Sequence, residues 1–288
     1  MTPLQEHSAR SLDIHELLTA DSLTKRFEIG LAVVDLREQD VNRQYRIFGY
    51  NMGKSMYPAS LSKIFIGAEV LRRAMIEDLD LDQKIEIRSP NDVDHDPRAF
   101  PGDHRRLLVA GDVVTIEELL DRMLSRSDNT ASNELIDLVG RDAINKHIIA
   151  RHGWQGSELT RKFISRSFEE SAFKQAPITM SCPQHIADFF TRMATNPHIL
   201  LRLQKYMRSH VSMWLPWYCC RKGGKHDSKL QDGRTAHWLH EAGIVVGRRS
   251  TYVVALMTLD KNDQPVSSFP LRRFVETLHT YMESYKYR

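Results

Sequence analysis

Two serines and a lysine open an apolar segment, Tyr57-Pro-Ala-Ser-Leu-Ser-Lys-Ile-Phe-Ile-Gly-Ala-Glu-Val-Leu71. Ser60 and Lys63 are three residues apart, which on a helix puts them on one face with the amine in reach of the hydroxyl. A lysine desolvated near other cations gives up its proton and can then activate a serine nucleophile. The backbone N–H groups at a helix start face any negative charge that develops there. Ser62 points about 200° around the helix from Ser60 and is expected to be a surface or packing residue. Taken alone, Ser60 reads equally well as a helix N-cap after Tyr-Pro-Ala.

Two further clusters could join it. Ser127-Asp128-Asn129 falls between two helical segments, where a second hydroxyl could relay protons and an amide could bind a carbonyl. Its alternative is a turn with Asp128 as a helix cap. Lys222-Gly223-Gly224 ends a strand-like stretch. The glycines permit close approach to a strand edge and the lysine adds positive charge, although a glycine turn fits equally well.

The elements that would position these groups follow from periodicity. Residues 11–23 have apolar positions at helical spacing, and residues 26–36 and 44–51 read as two strands. From Ser60 to about Leu203 the pattern is helical almost throughout. Strand character returns in residues 217–224, 237–247 and 251–260, and residues 271–285 form an amphipathic closing helix. The expected architecture is α/β plus all-α: an antiparallel sheet flanked by helices. Residues 1–59 and 204–288 would form a discontinuous α/β lobe, residues 60–203 an inserted all-α lobe, and the site the cleft between them.

Taken in this order and within this arrangement, the three clusters resemble the Ser-x-x-Lys, Ser-Asp-Asn and Lys-Thr-Gly signature of class A β-lactamases and penicillin-binding proteins. The resemblance continues through residues 115–140, 179–194 and 240–258, and covers roughly residues 25 to 285. It implies a β-lactamase-like fold and a serine hydrolase that opens a β-lactam amide through an acyl-serine intermediate. Ser60 would be the nucleophile, Lys63 its proton acceptor or part of the relay, and Ser127 the group that passes the proton to the leaving nitrogen. Asn129 would hold a substrate amide and Lys222 a carboxylate, with Gly223 and Gly224 lining the strand. The backbone N–H groups of Ser60 and Lys225 would form the oxyanion hole. No metal or organic cofactor is implied.

The chain departs from the pattern twice. Gly223 stands where the family carries a hydroxyl, which should weaken carboxylate recognition unless Lys225, Arg221, Arg248 or Arg249 compensates. The omega loop of class A enzymes carries a deacylating glutamate six residues after a Thr-Arg pair. Thr160-Arg161 is present, but that position holds Arg166. Glu169, with Glu170 and Glu158 nearby, is the substitute catalytic carboxylate, against a surface role. The alternative activity is therefore a serine acyl hydrolase or transferase, an esterase, amidase or DD-peptidase, with little β-lactamase activity. A third reading is a retired hydrolase fold used for binding.

The rest of the chain limits the partners. Forty basic and 37 acidic residues in 288 leave a net charge of +3, and no basic run is interleaved with aromatics, so no nucleic acid is expected. No apolar run approaches the roughly 18 residues of a membrane span. The start lacks signal-peptide features, so the chain reads as cytoplasmic as written, or periplasmic or secreted if mature. A monomer acting on a small-molecule or peptide amide or ester substrate is expected. Cys182, Cys219 and Cys220 read as buried or semi-buried thiols. The acidic stretch 91–106 reads as a solvated loop near the cleft mouth, with a metal or substrate clamp as the alternative. Pro97 occupies the position that a calcium loop gives to glycine. His240-Glu241-Ala-Gly lacks the second histidine of a zinc helix.

Overall fold

The computed structural model describes Ile14, Glu16, Leu18 and residues 23–39, 45–96, 103–207, 218–229, 233–260, 262 and 268–284. After a short helix α1 (Leu23–Arg26), the chain forms strands β1 (Phe27–Gln39) and β2 (Tyr45–Tyr50). A 3-10 turn, Ala59–Ser62, leads directly into α2 (Lys63–Met75). A two-stranded ribbon follows, β3 (Lys84–Glu86) with β4 (Val113–Thr115), then α3 (Ile116–Ser125) and α4 (Asn129–Val139). After the short α5 (Arg141–Ile144) and the segment 145–182 come α6 (Pro183–Thr195) and α7 (Pro197–Met207). The remaining elements are β5 (Tyr218–Lys229), β6 (Thr235–Val246), β7 (Thr251–Asp260) and α8 (Phe269–Ser284).

The five long strands form one antiparallel sheet in the order β2-β1-β7-β6-β5. Side chains alternate between the faces of a strand, and here both faces are buried. Ile29, Leu31 and Val33 pack with Tyr252, Val254 and Leu256 against Leu271, Phe274, Val275, Leu278 and Met282 of α8. Ala32, Val34, Val253, Ala255 and Met257 belong to the second core, which contains α2, α3, α4 and α6. Two-sided burial explains why β1 and β7 read as almost unbroken apolar runs.

Helix α2 runs through the middle of that second core with Ile64, Phe65, Ile66, Val70 and Leu71 buried. A helix buried nearly all round needs neighbours on every side, and α3 and α4 supply two. Thr115 starts α3 by accepting the Glu118 N–H at 3.1 Å, and Asp128 starts α4 by accepting the Ala131 N–H at 2.8 Å. These caps set the turn between the two helices, which carries Ser127, Asp128 and Asn129.

Differences from expectation are local. The helical pattern does not separate out the β3–β4 ribbon, whose strands are three residues each, or α7. Residues 141–153 form a short helix, a π turn at Asn145–Ile149 and a 3-10 turn at Ala150–His152 rather than one helix. Strand β5 continues to Lys229. Of the helix expected at 11–23, Ile14, Glu16 and Leu18 are helical, and most of its other positions lie outside the described residues. Cys182 and Cys220 are buried and Cys219 is partly buried. Among the described residues, no helix is long and apolar enough to cross a membrane.

Candidate active site

Ser60 is half-buried in the 3-10 turn at the foot of α2. The residue before it, Ala59, has φ of 46°, and Ser127 has φ of 68°. Left-handed backbone at a non-glycine residue costs energy and persists only where the surroundings enforce it. Ser62 is buried and donates to the Ala59 carbonyl at 2.8 Å, the packing role expected of it.

Lys63 is fully buried at the first position of α2. Its ammonium donates to the Ser127 carbonyl at 2.5 Å, to Ser127 Oγ at 3.3 Å and to Asn129 Oδ1 at 2.7 Å. The turn after α3 is therefore tied to the start of α2 through this amine. Burial lowers its pKa to about 8, against the opposing pull of Asp94 and Asp128. The ring of Phe163 lies 4.5 Å from the same nitrogen.

Asn129 is held from both ends. Its Oδ1 accepts from Lys63, while its Nδ2 donates to Asp94 Oδ1 at 3.0 Å and its backbone N–H to Asp94 Oδ2 at 2.5 Å. Asp128 is locked by Arg126 through bonds of 3.1 and 2.6 Å. Asp94 belongs to the acidic stretch that reads as solvated, yet it is partly buried and engaged with α4. Burial and the neighbouring Asp128 raise its pKa. Residues 97–102 of that stretch lie outside the described residues. Among the described residues, no three His, Cys, Asp or Glu side chains gather as a metal set.

Edge strand β5 closes the site. Gly224 packs directly on the turn that carries Ser60: a Cβ there would lie 3.1 Å from the Pro58 carbonyl, 3.2 Å from Ser60 N and 3.3 Å from Leu61 N. Lys222 shares that face by alternation. It is fully buried, and its ammonium has no hydrogen-bond partner among the described residues. Burial, then the charges of Lys63 and Arg221, hold its pKa well below the usual lysine value. Gly223 and Arg221 take the opposite face, where Arg221 Nη2 would be 3.3 Å from a Cβ at 223 and its Nε is 3.4 Å from Glu241. Lys225 is exposed on the same strand.

The omega segment is pinned at its neck by bridges between Glu158 and Met180 and between Met56 and Ser181. Glu169 is buried within it. One oxygen accepts from Arg141 Nη2 at 2.8 Å and the other from the Lys162 N–H at 2.7 Å. Neither of these bonds runs to Ser60 or Lys63. Arg166 donates to the carbonyls of Lys174 and Ala176. Glu158 is exposed, and so is Glu170, beside Lys162 at 3.6 Å.

Sequence reasoning missed three residues. Asp94 was hidden among other acidic residues, and Phe163 carries no polar signal. His240 belongs to a stretch that lacks the second histidine of a zinc helix and carries no other signal in the sequence. It is fully buried, accepts the Thr258 N–H at Nδ1 (3.0 Å) and donates from Nε2 to the Tyr57 carbonyl (2.9 Å). These bonds fix the neutral tautomer, and burial lowers its pKa to about 4. His240 thereby ties β6 to the chain just ahead of Ser60.

This sheet order, with helices packed on both faces, is the β-lactamase fold, and solved structures share it over nearly their whole length. A β-lactamase from Sphaerobacter thermophilus is 21% identical, with 95% of this chain and 98% of that one covered and a TM-score of 0.69. The TLA-1 extended-spectrum β-lactamase is 14% identical, covering 95% and 100%, with a TM-score of 0.73. PBP-A is 16% identical, covering 94% and 96%, with a TM-score of 0.68. A search of curated proteins gives no significant match. The profile described as the beta-lactamase enzyme family matches residues 12–273. The chain belongs to that family.

Proposed function

We propose that the protein is a serine hydrolase acylated at Ser60 by a β-lactam or a related cyclic or peptide amide. The observation that supports this reading most strongly is the buried Lys63 amine. It is bonded to Ser127 and Asn129, and its pKa is lowered to about 8. In the proposed step, neutral Lys63 takes the Ser60 hydroxyl proton as Oγ bonds to the carbonyl carbon. The C–N bond then breaks, and the proton passes through Ser127 to the leaving nitrogen, while the N–H groups of Ser60 and Lys225 hold the oxyanion. Lys222, buried without a partner among the described residues, would gain one in a substrate carboxylate. We read the cleft as lying between residues 60–203 and the lobe formed by 1–59 with 204–288.

A second reading concerns release of the acyl group: an acyl hydrolase or transferase with little β-lactamase turnover. It is favoured by the omega segment, which presents Phe163 to Lys63 and commits both Glu169 oxygens elsewhere. One fold neighbour is a PBP-A variant captured as an acyl-enzyme with penicillin G. Intact-mass measurement over time with a penicillin tests both readings. A transient adduct at Ser60 supports hydrolysis and a persistent one supports the second reading. No adduct, with none in a panel of activated esters, refutes both.

A further inference from the structure

We propose that Asp94 is a positioning residue for this site, orienting the Asn129 amide and thereby holding the Lys63 ammonium against Ser127. The inference rests on the acyl-serine reading and extends it to a residue outside the three motifs. A carboxylate only accepts hydrogen bonds, and an ammonium only donates them. Placed at opposite ends of one amide, they allow a single orientation: Asn129 Nδ2 toward Asp94 at 3.0 Å and Oδ1 toward Lys63 at 2.7 Å. A flipped amide would set acceptor against acceptor and donor against donor.

The same carboxylate accepts the Asn129 and Thr130 backbone N–H groups at 2.5 and 3.3 Å. Its own N–H and that of Val93 donate to Thr130 Oγ1 at 3.3 and 3.0 Å. The loop and the first turn of α4 are thus cross-linked in both directions, which fixes where the carboxylate stands. A residue that only capped the helix would need one of these bonds. Asp94 spends its second oxygen on a side chain that touches the catalytic amine.

The charges facing Lys63 define what the removal of Asp94 does. Asp94 and Asp128 pull its pKa up, and Lys222 lies across from it on β5 as a like charge. Asp128 is already shared with Arg126, which leaves Asp94 as the carboxylate not paired to an arginine among these groups. Asp94 favours the proton on Lys63, and without it the amine becomes neutral at lower pH.

The test uses Asp94→Asn and Asp94→Ala in the full chain. Asparagine keeps one of the two acceptor oxygens and turns the other into a donor, so Asp94→Asn should lower the melting temperature less than Asp94→Ala, which loses every bond of the carboxylate. With Asp94→Asn the acid limb of the acylation rate against pH, measured with a penicillin by mass spectrometry, should move down by about one pH unit. The Lys63 side-chain resonance, assigned with Lys63→Arg, should titrate lower by the same amount. An unchanged Lys63 midpoint in Asp94→Asn overturns the proposal. That resonance is read without any substrate, so failure of the parental protein to form an adduct refutes the acyl-serine reading and leaves the Asp94 result decisive.

Discussion

Replacing Gly224 with alanine probes how closely the edge strand must approach Ser60, the proposed nucleophile. The added Cβ would stand 3.1, 3.2 and 3.3 Å from Pro58 O, Ser60 N and Leu61 N, each inside the 3.4 Å at which ordinary contact begins. All three atoms are backbone, so no flexible side chain can yield. The strand and the turn must separate by a few tenths of an ångström. Overpacking of this kind costs about 1–3 kcal/mol, and so small an overlap belongs at the lower end, which lowers the melting temperature by about 2–4 °C. The effect on chemistry should be larger. Misplacement by about 1 Å can cost 100-fold in rate, and an oxyanion donor is worth about 100- to 1,000-fold. Shifting Ser60 N by a fraction of that distance should slow acylation roughly tenfold. The assay is the rate of labelling by a fluorescent penicillin beside a thermal melt. Gly53→Ala is the control, because a Cβ there meets nothing within 4 Å. Parental acylation by the Gly224→Ala protein would refute the argument that this contact positions Ser60 for the proposed attack.

Ser62→Ala should lose one buried hydrogen bond, about 1 kcal/mol of stability, and still accept a penicillin, whereas Ser60→Ala should give no adduct by intact mass. Glu169→Gln removes the buried charge that neutralises Arg141 and one of the two acceptor oxygens, and breaking a buried ion pair costs about 3–5 kcal/mol. A melting temperature lower by on the order of 10 °C with unchanged acyl-enzyme lifetime is expected, whereas a longer lifetime at parental stability would make Glu169 the deacylating base. His240 has a pKa of about 4 folded, below the usual 6.5, so the unfolded chain binds the extra proton first. Its contribution is fully present above pH 6.5 and is lost as pH falls toward 4, about 3 kcal/mol in all. Melting temperatures between pH 4.5 and 7 should rise with pH, and His240→Gln should flatten that rise.

The parts legible in sequence are those where one residue type has one use. β7 was read at its observed bounds because both faces are buried and the strand is apolar throughout. Helix α6 was equally plain, with Pro183 at its start and apolar spacing after it. Ser60, Lys63, Ser127, Asn129 and Lys222 were selected by spacing and resemblance, and their geometry supplies partners that spacing cannot name. Lys63 was expected to face Ser60, yet its hydrogen bonds run to Ser127 and Asn129. Asp94 could not be chosen from among Asp92, Asp94 and Asp96 by sequence, because only the tertiary fold brings one of them to α4. Glu169 stands out in the sequence only because it lies near the position of the expected glutamate. A loop of irregular backbone has no period to reveal that its oxygens turn inward to Arg141.

The central pairing of the sheet joins Phe27 to Asp260 and Asp35 to Tyr252, so its two strands come from opposite ends of the chain. During synthesis β1 emerges early and has no partner on that side until β7 has left the ribosome. All of α2 through α7 must be accommodated in the interval. Contacts so remote in sequence carry a large loop-closure cost and slow folding. Until they form, β1 presents a long apolar edge of the kind that recruits other chains. Loss of the last forty or so residues would therefore remove the strand that lies against β1 throughout its first nine residues, and the damage would reach the foot of α2 although no motif residue lies in the deleted part.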